Sequence, residues 1–392
     1  MPSPSLSGPV LPENWQRGGF GLYLHWPYCT AKCPYCDFNS HVAASIDQAR
    51  WACAYASEIK RLGAETGDRV LHSAFFGGGT PSLMEPDLVG QILDTVRATW
   101  TTANDIEITL EANPTSVEAS RFAGYRDAGV NRISMGLQAL NDADLKRLGR
   151  LHTVAEAKAA LNMAFAAFDR VSFDLIYARQ HQSLDAWRTE LGEAVQMARG
   201  HLSLYQLTIE DGTAFGDRHS KGKLPGLPAN DTGADMYALT QEICESAGLP
   251  AYEISNHAAP GQASQHNLIY WRGGDYAGIG PGAHGRLTQG GQRYATATPL
   301  APTAWLKQVE DTGAGETPRE ALSAADVVAE RVMMGLRTVE GIDLADDARE
   351  YIKYNKISML ADDGLVCVDD NALYVTAKGR PLLNALLREI LA

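Results

Sequence analysis

The apolar positions of the first half of the chain repeat one theme: a short β-rich run, a turn, then a stretch with helical periodicity. Strands are predicted over residues 22–26, 72–76, 106–111, 131–135, 172–177 and 202–209, and helices over 47–64, 86–100, 116–128, 153–168 and 184–198. In the second helical stretch Leu88, Ile92, Leu93 and Val96 share one face. The third opens at Thr115 or Ser116 as an N-cap and closes at Gly129. Strands alternating with helices build a parallel sheet, and six such units predict an α/β fold with a partial or full barrel rather than an open dinucleotide-binding sheet. In either form ligands gather at the C-terminal ends of the strands.

The pattern changes after about residue 210. Residues 212–233 are rich in Gly, Pro and Lys, and residues 273–291 are dense in Gly, so both read as long functional loops. From about Pro302 the chain turns helical again, over 324–337 and 343–360. A short hairpin follows, 365–368 with 372–375, joined by Asp369-Asp370-Asn371, and a last helix spans roughly 379–391. This succession predicts a C-terminal winged-helix-like α+β domain. Four regions result: an N-terminal flexible segment (1–19), a β/α core (20–215), a Gly-rich intermediate region (216–300) and the C-terminal domain (301–392).

Charge narrows the function. The chain has 392 residues, 34 Lys and Arg against 47 Asp and Glu, and a net charge of −13, which argues against general nucleic-acid binding. Winged helices often bind DNA, but residues 320–392 carry 8 Lys and Arg against 13 Asp and Glu. No apolar run approaches the roughly 20 residues needed to span a bilayer. The first 19 residues have prolines at 2, 4, 9 and 12 but neither a cationic start nor an apolar core, so they do not read as a signal peptide. A cytoplasmic location is the expectation. Six cysteines are too few for a disulfide framework, and three of them, Cys29, Cys33 and Cys36, stand within eight positions. The isolated Cys53, Cys244 and Cys367 read as buried small hydrophobes.

Three thiolates on one loop after the first strand can hold three irons of a [4Fe–4S] cube and leave the fourth iron open. They can also hold zinc completed by His25 or His41, and spacing alone does not choose between the two. Gly77-Gly78-Gly79-Thr80-Pro81 follows the second strand, where glycines let backbone approach a ligand. Glu111-Ala112-Asn113-Pro114 follows the third and brings a carboxylate to the same rim; Ser134-Met135-Gly136-Leu137-Gln138 follows the fourth, with Arg150 twelve residues on. Asp174 lies inside the apolar fifth strand, where a charge is costly unless paired. Tyr35, between two of the cysteines, reads equally as an adenine contact or as a cover over the loop.

This order of motifs resembles the radical S-adenosylmethionine (SAM) superfamily, and within it the branch of oxygen-independent coproporphyrinogen III oxidases and HemW-type heme chaperones, over about residues 20–390. The resemblance implies a partial (β/α)6 radical-SAM barrel in which Cys29, Cys33 and Cys36 ligate a [4Fe–4S] cluster rather than zinc. It implies further that Tyr23, Gly78, Gly79, Thr80, Glu111, Gln138, Arg150 and Asp174 contact S-adenosylmethionine. Oxidases of the branch carry a fourth cysteine where this chain has Phe38, as the chaperones do. His266-Asn267-Leu268-Ile269-Tyr270-Trp271 matches the chaperones' H-N-x-x-Y-W motif, which implies heme binding by His266, Asn267, Tyr270 and Trp271. His284 reads as a loop residue rather than a second ligand. Relatives commonly read Tyr-Gly-Leu-Pro after the fifth strand, whereas Tyr177-Ala178-Arg179-Gln180 stands here. The implied function is a heme chaperone with heme and respiratory hemoproteins as partners, probing a membrane at most peripherally. The alternatives are a coproporphyrinogen dehydrogenase, which oxidatively decarboxylates propionate side chains by radical chemistry, and a nucleic-acid-acting radical enzyme, which the net charge disfavours.

Overall fold

A computed structural model describes residues 14–344 and 350–391. All six expected strands form and lie side by side in chain order: β1 (Phe20–Trp26), β2 (Val70–Gly78), β3 (Thr101–Ala112), β4 (Arg132–Gln138), β5 (Arg170–Tyr177) and β6 (His201–Gln206). Each pairs in parallel with the next, with a helix between, as a β/α barrel segment requires. Leu22, Phe76, Leu110, Ile133, Phe173 and Leu204 pack with the covering helices in the main core. Alternate positions on the same strands are polar: Ser73, Glu107, Thr109, Arg132, Ser172 and Ser203 are buried on the opposite face. A strand buried on both faces is ordinarily apolar throughout. Here one face packs helices, and these polar positions on the other bond to one another and to residues 264–266.

The segment does not close on itself. Beyond β6 the sheet adds β7 (Asn256–Ala258), antiparallel to it. Beyond β1 it adds β8 (Asp275–Ile279), parallel, and then β9 (His284–Gln289), β10 (Gln292–Ala297) and β11 (Glu320–Ala321), antiparallel, for eleven strands in all among the described residues. The Gly-rich stretch 273–291, expected as a long loop, is therefore sheet. Its glycines serve close approach: a Cβ on Gly278 would stand 2.1 Å from the His284 carbonyl oxygen. His284 opens β9 and is exposed rather than lying in a loop. The stretch 212–233 likewise contains the helix Ala214–Ser220 and the start of Asn230–Ser246. The helix expected over 116–128 is broken into Ser116–Ala119 and Phe122–Ala128.

A second core gathers side chains from Val328 to Ile390. The three-stranded sheet of β12 (Ile342–Asp343), β13 (Val366–Asp369) and β14 (Ala372–Val375) packs there with the helices Ala324–Gly335, Tyr354–Asp362 and Leu383–Leu391. The expected helix 343–360 starts instead with strand β12 and forms only from Tyr354, while its residues 345–349, like residues 1–13 of the N-terminal segment, lie outside the described residues. The β13–β14 turn has Asp370 and Asn371 at φ +44° and +73°, a left-handed pair that Asp and Asn tolerate. Cys244 is buried as expected, but Cys53 is exposed on the outer face of the helix Gln48–Thr66, whose other face buries Trp51, Ala54 and Tyr55 in the main core, and Cys367 is half-buried on β13. Among the described residues no helix is long and apolar enough to cross a membrane.

Candidate functional site

A cavity of about 1420 Å³ opens at the C-terminal ends of β1–β6 and continues to the C-terminal domain. It exceeds the roughly 300–1,000 Å³ of a pocket for one drug-sized ligand. Cys29, Cys33 and Cys36 line it on the loop after β1, and so does every expected S-adenosylmethionine contact except Tyr23. Burial pushes the Cys29 and Cys36 thiols up, so in the free protein they hold their protons until a metal replaces them.

The loop is tied to the strand ends by a chain of hydrogen bonds. The Thr80 hydroxyl donates to Cys29 Sγ at 3.3 Å and accepts from Asn113 Nδ2 at 3.2 Å. Arg150 Nη2 donates to Asn113 Oδ1 at 2.5 Å and to the Gly136 carbonyl at 3.0 Å, while Nη1 reaches Cys33 Sγ at 3.5 Å. Asn113 thus links two cysteines through β2 and β3, a role that sequence reading missed although the residue stands inside a recognised motif. Arg150 Nε is buried without a partner among the described residues, as fits a guanidinium edge left for an anionic ligand.

Carboxylates stand across the rim. Gly78 N–H donates to Glu111 Oε2 at 3.3 Å, and Gln138 Nε2 donates to both Asp174 oxygens at 2.9 and 3.0 Å. Tyr35 hydroxyl in turn donates to Gln138 Oε1 at 3.1 Å, so Tyr35 is fixed over the cavity. Burial, with the nearby Asp174 charge, pushes Glu111 up to about 7, and burial pushes Asp174 up to about 6. These two carboxyls hold protons at mildly acidic pH, and a cation bound beside them favours their ionised forms. Gly78 adopts φ +109°, and a Cβ there would sit 2.5 Å from the His25 ring. Tyr23 lies on β1 with its ring against Phe75 and its hydroxyl hydrogen-bonded with His25 Nδ1 at 3.1 Å.

The donor set fits an iron–sulfur cube. Both His25 nitrogens are engaged, Nδ1 with Tyr23 and Nε2 with the Asn39 carbonyl at 2.9 Å, and His41 Nε2 is engaged with Asn39 Oδ1 at 3.1 Å. The histidines that a Cys3His zinc site needs are thus committed elsewhere. Among the described residues no three His, Cys, Asp or Glu side chains converge on a single-ion point. Three thiolates that each serve a different iron do not need to converge.

The second motif lies elsewhere. His266, Asn267, Tyr270 and Trp271 occupy the helix Gln265–Trp271, and none of them lines the cavity. His266 is 2% exposed, with Nδ1 bonded to Ser73 Oγ at 2.7 Å and Nε2 to Tyr270 hydroxyl at 2.8 Å. Its ring stacks on Phe75 at 4.9 Å. Burial pushes its pKa down to about 3, so the ring is neutral. Glu107 anchors the helix start, accepting from Ser264 Oγ and from the Gln265 and His266 amides, each at 3.2 Å. Arg170 pairs with Glu107 at 2.7 Å, and despite burial the Arg132 and Arg170 charges hold that carboxyl below its usual range.

The departure at 178–180 leaves the rim intact. Arg179 is buried, donates to the Ile176 carbonyl and pairs with Glu190 at 2.6 Å and Asp144 at 3.0 Å, outside the large cavity. Ala178 adopts φ +57°, a conformation better suited to glycine.

Parallel β/α units, three thiols and a glycine loop at one rim define a radical SAM protein. The radical SAM superfamily pattern matches residues 23–189 and the HemN C-terminal domain pattern matches residues 322–382. The chain is 36% identical to the mitochondrial radical S-adenosyl methionine domain-containing protein 1 of Bos taurus, over 100% of this chain and 91% of that one. It is 44% identical to the heme chaperone HemW of Escherichia coli (strain K12), over 68% and 70%. The coproporphyrinogen III oxidase (HemN) of Escherichia coli shares the fold, with a TM-score of 0.79 and 22% identity over 94% of this chain and 89% of that one. The chain belongs to the HemW/HemN family of radical SAM proteins and is of the HemW type.

Proposed function

We propose that this protein is a heme chaperone that binds heme, holds a [4Fe–4S] cluster on Cys29, Cys33 and Cys36 with S-adenosylmethionine beside it, and passes heme to respiratory hemoproteins. The observation that carries this reading is the size and lining of the cavity: it has room for a second ligand next to S-adenosylmethionine, and Phe38, 59% exposed, lines it where an oxidase would carry a fourth thiol. The likeness to HemW of Escherichia coli supports the same reading. A cytoplasmic site of action goes with it, although the name of the Bos taurus relative places that protein in mitochondria.

When bound, the cluster supplies a low-potential electron to the sulfonium. The chain's own residues hold and orient the cofactor. Glu111 and Asp174 accept from its ammonium group, the Arg150 fork takes its carboxylate, and Gly78 and Gly79, where a Cβ would meet the His25 ring and the Tyr28 carbonyl, let the loop after β2 pack closely against the segment that leads to Cys29 and line the site with backbone. Asn113 and Thr80 keep the cysteine loop in register with those groups.

The test is anaerobic reconstitution followed by heme titration through the Soret band and by an assay for coproporphyrinogen decarboxylation. Stable heme binding without decarboxylation is the expected result. Turnover of the porphyrinogen without stable heme binding would overturn the reading in favour of a coproporphyrinogen dehydrogenase.

A further inference from the structure

Charge is distributed unevenly around the cavity. Carboxyls such as Glu111 and Asp174 line it at the strand ends, whereas the residues that line it from the C-terminal domain include Arg337, Arg380 and Arg388 and no carboxylate. This contrasts with residues 320–392 as a whole, whose acidic residues outnumber basic ones by 13 to 8. The placement follows from helix periodicity. Leu383, Leu386, Leu387 and Ile390 turn into the second core, and the interleaved stripe Pro381, Asn384, Ala385 and Arg388, spaced i, i+3, i+4 and i+7, faces the cavity.

Among the described residues none of these three cations is held in an ion pair. The Tyr237 hydroxyl lies beside the Arg380 guanidinium, yet neither the hydroxyl nor Arg380 Nη1 has a well-formed hydrogen bond among the described residues, although both atoms are shielded from water. Arg337 spends Nη1 on the Met333 carbonyl at 2.7 Å, which steadies its stem without neutralising it. The lining also carries open apolar side chains: Phe38, Leu151, Tyr205 and Leu382 are each more than 40% exposed. An apolar slot with cations along one end suits a flat apolar ligand that carries carboxylates on one edge.

We infer that the tetrapyrrole of the proposed chaperone seats in this cavity, its propionates on Arg337, Arg380 and Arg388 and its ring edge toward Phe38 and Tyr205. The inference rests on the heme reading and assigns the site to the space between barrel and C-terminal domain rather than to the helix Gln265–Trp271. His266 is there to lock that helix against β2.

The test titrates the reconstituted full chain with hemin and with hemin dimethyl ester, whose propionates are uncharged. Wild type should bind hemin at least about tenfold more tightly than the ester, the discrimination expected from one or more charged hydrogen bonds. The triple variant Arg337→Gln, Arg380→Gln, Arg388→Gln should lose that preference while keeping its affinity for the ester, which doubles as the check that the slot is intact. The Arg388→Gln single variant, at an exposed position, should show part of the same loss. Unchanged hemin affinity in the triple variant would overturn the site, and hemin binding abolished by His266→Phe but not by the arginine changes would return it to the helix. Failure of wild type to bind either porphyrin would overturn the heme reading itself.

Discussion

Two regions of this molecule carry chemistry-bearing motifs, and they differ in how their polar atoms are spent. At the rim after β1–β6 the polar groups face a cavity: Arg150 Nε is unpartnered, and Glu111 and Asp174 are pushed up to about 7 and about 6. In the helix Gln265–Trp271 most polar groups face each other: His266 has both nitrogens bonded and Glu107 closes the helix start, with Trp271 Nε1 the exception, buried without a partner among the described residues. Both regions hold histidine, tyrosine or carboxylate in a recognisable order. Buried polar groups that are left unsatisfied are poised for a ligand, whereas a fully satisfied set stabilises the fold.

Removing a thiol should separate the regions most sharply. Cys33→Ala leaves two thiolates for a cube, and after anaerobic reconstitution it is expected to retain almost none of the wild-type iron and sulfide, with unfolding otherwise near wild type. Iron content at the wild-type level would break the comparison at its strongest point.

The next effect belongs to the other region. Glu107→Ala strands Arg170 and Arg132 and releases the helix start, and removing one partner of a buried charge pair costs about 3–5 kcal/mol. Urea unfolding should show a loss of this size. A loss under about 1 kcal/mol would mean that the helix is not held as described.

Titration tests the rim. Both carboxyls have pKa values in the folded protein above those of ordinary Glu and Asp side chains, so the ligand-free native state binds more protons than the unfolded chain. Their contribution to stability is therefore present at low pH and is lost as pH rises toward about 7. A cationic ligand needs the ionised forms, so S-adenosylmethionine should bind roughly tenfold more weakly at pH 6 than at pH 8, since one unit of pKa is about 1.4 kcal/mol. Calorimetry at the two pH values checks this, and Glu111→Gln should flatten the dependence. A pH-independent affinity in wild type would remove these carboxyls from the cofactor's cation.

The smallest effect is Ala178→Gly. It relieves a left-handed alanine at about 1–2 kcal/mol but adds unfolded-chain entropy, for a net gain of about 0.5–1 kcal/mol in denaturant unfolding and no change at the rim.

Much of the rim was legible in the sequence because each motif follows its own strand. Cys29, Gly78, Glu111, Gln138 and Asp174 are far apart in the chain, but β1 to β5 are neighbours in chain order, so parallel pairing brings their C-terminal ends together. Asn113 was less visible, since its part depends on the rotamers of Thr80 and Arg150 across two other elements. The Gly-rich stretch 273–291 misled because glycine marks close backbone approach as readily as a loop, and here the approach is between β8 and β9. The arginines of the C-terminal domain carried no motif. Only the docking of the helix Leu383–Leu391 by its apolar stripe turns Arg388 toward the cavity.

By itself the sequence determined the alternation of strands and helices and the grouping of three thiols ahead of the glycine loop, because these rest on local periodicity and on short spacings that the backbone carries with it, and the order of its motifs carried the resemblance to radical SAM proteins. The tertiary structure decided which polar residues are free. Whether His266 can reach a ligand depends on Ser73, Tyr270 and Glu107, and whether Arg380 can depends on how the second core docks against Tyr237. Ser73 stands 193 positions from His266 and Glu107 stands 159, while Tyr237 stands 143 from Arg380, and only the packing of the folded chain brings them together.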